Sequence, residues 1–270
     1  MKPLDALTQD EARRLRGVVF DLDDTLLDHG ALTEEAYRAL FRLREAGLHL
    51  VACTGRPAGW GEIVQRQWPI DAAVTENGAV AFLAEPGRGG ARQVVAIDPL
   101  GKAERQARRA ELMRLAEEIV ARFPAAALAD DNDARRADVT LDIGEHRRVP
   151  AAEVRAIRAI ARDRGLRTFA SSIHLHLTHE PDDKATGTIR ILVERFGEDA
   201  TSALSRWAFV GDSANDAAAF AAFRLTFGVA NVVTHVRGLT VPPRYLARAP
   251  MGRGFAEIAA RLVALRASAA

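Results

Sequence analysis

Gly17-Val18-Val19-Phe20 is a short unbroken apolar run that stops abruptly in charge at Asp21. Such a run predicts a strand buried on both faces of a parallel sheet. Thr33 then precedes Glu34 and Glu35 and a helix-period series through Ala39, Leu40 and Leu43, closed by Gly47. The N-cap, the acidic first turn and the terminal glycine all point to one helix. Residues 48–53 predict a second strand, closed by Thr54-Gly55-Arg56-Pro57, and a helix over 59–68 and a strand near 72–74 follow. This alternation predicts a parallel α/β sheet.

The rhythm then changes. Residues 79–83 and 93–97 flank Glu85-Pro86-Gly87-Arg88-Gly89-Gly90, which predicts a hairpin. A long charged helix over 102–122 comes next. Asp130-Asp131-Asn132-Asp133 leads to a strand over 138–143, a helix over 151–164 and strands over 166–170 and 173–178. Alternation resumes at Lys184 with a helix to 196, a strand over 207–210, a helix over 214–222, a strand over 225–229 and a terminal helix over 254–266. Residues 1–16 read as a short helical or frayed lead-in. The expected class is α/β, a Rossmann-like parallel-sheet core with an inserted α+β cap domain. The core segments are 1–98 and 181–270 and the cap is 99–180, with the hairpin near 79–98 assignable to either part.

Composition narrows the function classes. Lys and Arg number 37 against 36 Asp and Glu, a net charge of +1, so there is no basic footprint for nucleic acid. No apolar stretch reaches the roughly 18 residues of a membrane span, and the first residues lack the apolar core of a secretory signal. Cys53 is the one cysteine, which excludes an internal disulfide and fits a reducing, cytoplasmic setting. The sequence leaves the oligomeric state open.

Chemistry concentrates where predicted strands end, which is where open parallel sheets bind ligands. In Asp21-Leu22-Asp23-Asp24-Thr25, residues 21 and 23 share one side of an extended backbone. Two carboxylates so close need a cation or a shared proton, so one could attack and bind metal while the other moves a proton. A solvated loop of capping aspartates is the plain alternative. Thr54 and Gly55 at a strand-to-helix turn can cradle phosphate, or simply make a turn. Lys184 opens a helix against its dipole, which hints at an external anion, although a surface lysine would read the same. In Gly211-Asp212-Ser213-Ala214-Asn215-Asp216, the acids at 212 and 216 can face one point, and hard carboxylate oxygens suit Mg²⁺. A helix cap is the alternative there.

Together, and in this order, these motifs resemble the haloacid dehalogenase-like superfamily over essentially the whole chain. Thr75-Glu76-Asn77-Gly78 before the hairpin and the late Gly252-Arg253-Gly254-Phe255 resemble its type IIB branch, which includes sugar-phosphate phosphatases and phosphomannomutases. Asp24 and Ser213 stand where many members have glycine. The resemblance implies a nucleophile at Asp21 and a general acid and base at Asp23. It implies phosphoryl contacts at Thr54, Gly55 and Lys184, with Asn215 orienting Lys184 or a carboxylate. Mg²⁺ would lie among Asp21, Asp212, Asp216 and the backbone carbonyl of Asp23. The second aspartate favours phosphoryl transfer over dehalogenation, since a leaving oxygen needs a proton. The implied substrate is a small phosphate ester, a sugar phosphate above all. A phosphomutase and a non-catalytic binding protein are the competing readings.

In the insert, His174 and His176 share one strand face, and with Ser172 they could reach substrate or form the polar side of a half-buried sheet. A zinc site there lacks a third ligand nearby. Arg135 and Arg136 could recognise phosphate or sugar hydroxyls, or be solvated. Cys53 reads as core.

Overall fold

The computed structural model describes residues 1–87, 92–171 and 173–267. Among these described residues, the main sheet has nine strands. Its centre is β2 (Gly17–Phe20), between β3 (His49–Cys53) and β11 (Trp207–Gly211). On the first side β3 continues to β4 (Ala72–Thr75), β5 (Val80–Pro86) and β6 (Arg92–Ile97). On the other, β11 continues to β12 (Leu225–Gly228), β13 (Tyr245–Leu246) and β1 (Lys2–Pro3). All pairs from β1 to β4 are parallel, and β5 and β6 add antiparallel. The predicted hairpin thus extends the main sheet, because Val80 to Leu83 pair directly with Thr75 to Ala72. Within the turn predicted over 85–90, positions 88–90 lie outside the described residues.

Val18, Val19 and Phe20 are fully buried, as the unbroken apolar run requires. Val18 and Phe20 face one apolar layer with α2 (Glu34–Glu45), α3 (Ala58–Gln67) and α9 (Met251–Ala267). Val19 faces the other, with α6 (Lys184–Phe196), α7 (Ala200–Arg206) and α8 (Ala217–Ala222). The helix predicted over 214–222 is split: a 3₁₀ turn, Ala214–Asp216, precedes α8. The split follows from Asp216, whose Oδ2 accepts from the amides of Asp212 and Ser213 and fixes a tight turn. The lead-in has two parts, β1 on the sheet edge and α1 (Gln9–Arg14), started by a capping box between Thr8 and Glu11.

A second, antiparallel sheet runs in the order β7 (Ala127–Leu128), β8 (Asp138–Asp142), β10 (His174–Thr178), β9 (Arg167–Ala170). Leu175 and Leu177 face a separate apolar core with α4 (Lys102–Arg122) and α5 (Ala151–Asp163). His174, His176 and Thr178 alternate with them and stand opposite Asp142, Thr140 and Asp138, so these lie on the other face. The two chain crossings between the sheets converge on Arg105. Its guanidinium binds Asp98 on the way out (Nη2–Oδ1 2.6 Å) and Glu180 on the way back (Nη1–Oε1 2.6 Å). Among the described residues, no helix is long and apolar enough to cross a membrane.

Candidate active site

Asp21 follows β2, Thr54 follows β3 and Asp212 follows β11, so three motifs meet where the strand order reverses. Lys184 arrives from the opposite wall, at the start of α6. Its Nζ lies 2.7 Å from Asp21 Oδ1 and 2.7 Å from Asp216 Oδ1. Asp183 makes that geometry possible, capping α6 through the amides of Ala185 and Thr186. Gly78 and Gly187 let the helix start press against the preceding turn, since a Cβ on Gly187 would collide with the Gly78 backbone.

Asp21, Asp212 and Asp216 are all buried, with carboxylate oxygens within 4.8 Å of one another. Burial pushes the Asp21 carboxyl well above its ordinary value; Lys184 opposes this, while Asp216, Asp212 and Asp23 add to it. Burial, and then Asp216, push Asp212 up to about 7. Lys184 stays charged despite burial, because Asp21 and Asp216 hold its ammonium well above the usual lysine range. Three carboxylates against one ammonium leave a surplus of two negative charges if all are ionised. A divalent cation with a preference for hard oxygen donors removes that surplus, so these residues fit Mg²⁺.

The carboxylates are also oriented from behind. Thr25 Oγ1 donates to Asp212 Oδ1 at 3.2 Å, and Asn231 Nδ2 donates to Asp212 Oδ2 at 2.9 Å. Asn231 Nδ2 also reaches the Asp24 carbonyl at 2.9 Å, and its Oδ1 accepts from Met251 N. Asn231 therefore joins the Asp21 loop, Asp212 and the start of α9.

The carboxylate of Asp23 stands apart from the acidic cluster. Arg56 takes both its oxygens, with Nε at 2.9 Å from Oδ1 and 3.0 Å from Oδ2, and the same guanidinium stacks on Trp60. Thr54 is buried, and its Oγ1 accepts from Arg56 N at 3.1 Å, so the Thr54 turn and the Arg56 arm form one unit. Asn215 corrects the sequence expectation. Its Nδ2 donates to Asn77 Oδ1 at 3.0 Å, and Asp216 rather than Asn215 holds Lys184. The next residue in chain, at the tighter 3₁₀ turn, has taken the place facing the lysine.

The insert residues separate. Arg135 is buried and fully engaged, with Nη1 on Asp138 Oδ1 at 3.0 Å and Nε on Asp131 Oδ1 at 2.9 Å. Its Nη1 also donates to the carbonyl of Gly55 at 3.1 Å, so it ties the insert to the Thr54-Gly55 turn. His176 is buried on Asp138 Oδ2 at 2.8 Å and Thr140 Oγ1 at 3.2 Å. Burial holds His176 below the usual histidine range, while Arg135 and His176 hold Asp138 down at about 2. His174 is half-buried, with Nε2 2.8 Å from Glu145 Oε2. Arg136 is exposed over the ring of Phe82. Ser172 lies outside the described residues. Cys53 is buried, and burial pushes its thiol up to about 12, which makes it a core residue.

Sequence reasoning assigned no role to Arg56, Glu76, Asn77 or Asn231. Glu76 and Asn77 form a turn with positive φ at both, 49° and 56°. The Glu76 carboxylate accepts from the amides of Ala58, Arg136, Ala137 and Asp138 at 2.6–3.0 Å, docking the insert onto the main sheet. Asn-Gly is a turn signal, but nothing local showed what the turn would touch. A groove of about 740 Å³ between α2 and α9 holds none of these residues.

Residues 18–88 match the haloacid dehalogenase-like hydrolase family profile. No curated protein sequence matches the chain. Solved structures share its fold, among them the following three. A Thermoplasma acidophilum protein is 18% identical, with a TM-score of 0.70 over 92% of this chain and 98% of that one. The sucrose-phosphatase of Synechocystis, solved with sucrose and phosphate, is 16% identical, with a TM-score of 0.66 over 93% and 98%. A HAD-superfamily subclass IIB sugar phosphatase is 17% identical, with a TM-score of 0.59 over 90% and 96%.

Proposed function

We propose that this chain, with the haloacid dehalogenase-like hydrolase signature over residues 18–88 and that superfamily's fold, is an Mg²⁺-dependent phosphomonoesterase acting on a small phosphorylated metabolite. The observation that carries the reading is the Lys184 ammonium clamped between Asp21 and Asp216 inside a buried three-carboxylate cluster. A buried cation beside a surplus of carboxylates suits a reaction that brings in both a divalent metal and a phosphoryl group.

Asp21 attacks phosphorus, and the bond to the leaving oxygen breaks as Asp23 hands that oxygen a proton. The resulting Asp23 carboxylate then takes a proton from water. The water oxygen attacks the aspartyl phosphate, the bond to Asp21 breaks, and orthophosphate leaves. Arg56 holds Asp23 in place between the two steps. Lys184 and the Thr54-Gly55 turn carry the phosphoryl oxygens. Mg²⁺ would be held by Asp21, Asp212, Asp216 and the carbonyl of Asp23, and when bound it polarises the phosphoryl group and screens its charge from the nucleophile.

A sugar phosphate is the proposed substrate class. The sucrose-phosphatase and the subclass IIB sugar phosphatase share the fold, and the half-buried His174 with the exposed Glu145 beside it offers polar groups for sugar hydroxyls at the end of β10. Arg135 is committed to Asp131, Asp138 and Gly55, which argues against the cationic grip that a phosphomutase keeps on a bisphosphate. With one buried thiol and no span-length helix among the described residues, we place the chain in the cytoplasm.

Hydrolysis of p-nitrophenyl phosphate tests the reading. It should vanish in excess EDTA, return with Mg²⁺, and be absent from a folded Asp21→Asn variant. Full activity under either condition would end it.

A further inference from the structure

We infer that Asn77 is a substrate-contacting residue, its side-chain Nδ2 donating to an oxygen of the phosphoryl group. The inference rests on the phosphatase reading and adds a residue to it. Asn77 sits in the turn after β4, buried, where ends of several elements meet. Its backbone amide donates to the Thr54 carbonyl at 3.1 Å. Its side chain lies against Gly55: a Cβ on that glycine would be 3.1 Å from Asn77 Oδ1, 3.4 Å from its Nδ2 and 3.6 Å from Asn215 Nδ2. Gly78, the next residue, packs on the backbone of Asp183, one position before Lys184. Asn77 is thus surrounded by the Thr54-Gly55 turn, the start of the lysine helix and Asn215.

The two ends of its amide differ. Oδ1 accepts from Asn215 Nδ2 at 3.0 Å, which leaves the NH₂ as the open end. That Nδ2 is buried and has no partner among the described residues. A buried donor left unmatched is costly, so natural proteins keep few of them, and a functional role is one of the causes that retain them. Its neighbours suit an anion: a glycine turn lies against the side chain, and the helix that carries the Lys184 ammonium starts beside Gly78. A phosphoryl oxygen is the acceptor of matching charge.

There is a plainer explanation for asparagine here. A φ of 56° is left-handed, and asparagine tolerates that region better than most residues. Glycine tolerates it better still. Asn77→Gly therefore keeps the backbone and removes only the amide, and Asn77→Asp keeps shape and conformation while replacing the donor with an acceptor.

The test is competitive inhibition of p-nitrophenyl phosphate hydrolysis by inorganic phosphate, with melting temperature measured in parallel. A hydrogen bond to a charged oxygen predicts a rise of about 10-fold or more in the phosphate inhibition constant for Asn77→Gly. Asn77→Asp should rise further, since its carboxylate repels phosphate, and both should melt close to the parent. Parent-like inhibition in a folded Asn77→Gly chain would overturn the inference and leave the phosphatase reading intact. Should Asn77→Gly not fold, parent-like inhibition of Asn77→Asp decides against it equally. A parent chain that neither hydrolyses phosphate esters nor binds phosphate would remove the phosphatase reading, and this inference with it.

Discussion

Arg56 grips Asp23 through two nitrogens, Nε at 2.9 Å and Nη2 at 2.6 Å from the same Oδ1. The carboxylate proposed to move protons is therefore aimed by a neighbour that itself rests on Trp60. Asp23→Asn should cost alkyl phosphates about 10²–10⁴-fold in kcat while sparing p-nitrophenyl phosphate, whose leaving group needs little protonation. Arg56→Ala should show the same substrate bias with a smaller loss, because the acid remains but is unaimed. Equal losses on alkyl and aryl esters would remove Asp23 from the proton transfer.

Asn231 supports Asp212 and the Asp24 carbonyl with a single NH₂ group. Partners behind metal ligands commonly tune affinity by about 10–100-fold. Asn231→Ala should therefore raise the Mg²⁺ concentration for half-maximal activity by about 10-fold or more, with activity regained at saturating metal. A Mg²⁺ titration that superimposes on the parent would show that Asp212 orients itself.

The two histidines of β10 should behave differently. His176→Ala leaves Asp138 and Thr140 short of a buried partner, a cost of roughly 1–3 kcal/mol that lowers the melting temperature. His174→Ala breaks a contact with the exposed Glu145, so stability should hold while kcat/KM for the preferred metabolite shifts more than for p-nitrophenyl phosphate. Thermal melts of both variants, beside a panel of sugar phosphates, separate the two roles. A stable His176→Ala chain with an altered profile would reverse the assignment.

Burial, with Asp138 beside it, pushes Glu76 up to about 7 in the folded chain, above the value of about 4.3 expected when unfolded. The folded state then holds this proton more tightly than the unfolded chain does. Its contribution to stability is fully present below the unfolded value and is lost as pH rises through about 7. Melting temperature should accordingly fall more steeply from about pH 5 to about pH 8 in the parent than in Glu76→Gln, whose amide does not titrate. Matching slopes would show that the four backbone amides outweigh burial.

Asp21, Thr54 and Asp212 were legible because each ends an apolar run, and strand ends at a switch point are fixed by topology alone. Arg56 lay inside a quoted motif but gained its role only from Asp23, 33 residues away. Asn231 meets Asp212 across 19 residues, with no periodic signal to mark it. The strands β1 and β13 are two residues each, too short for any alternation to show. The helix α7 went unread because Ala200 to Arg206 presents no apolar stripe; its cap at Asp199, which accepts from Thr201 and Ser202, was the available clue. Arg135 and His176 could be placed on the sheet face by spacing, but their mutual engagement with Asp138 depends on register between strands.

Arg105 bears on how the insert can move. Two separate tethers would let it slide, twist and tilt, each strap lengthening independently. Here one buried guanidinium clasps both, Asp98 on the first and Glu180 on the second. Stitched together at that point, the two straps cannot lengthen independently unless a buried ion pair breaks. The insert is fastened to the main sheet a second time where Gly55 and Glu76 accept from Arg135 and the amides of 136–138, so parting the two beside Thr54 means breaking that whole set of bonds together.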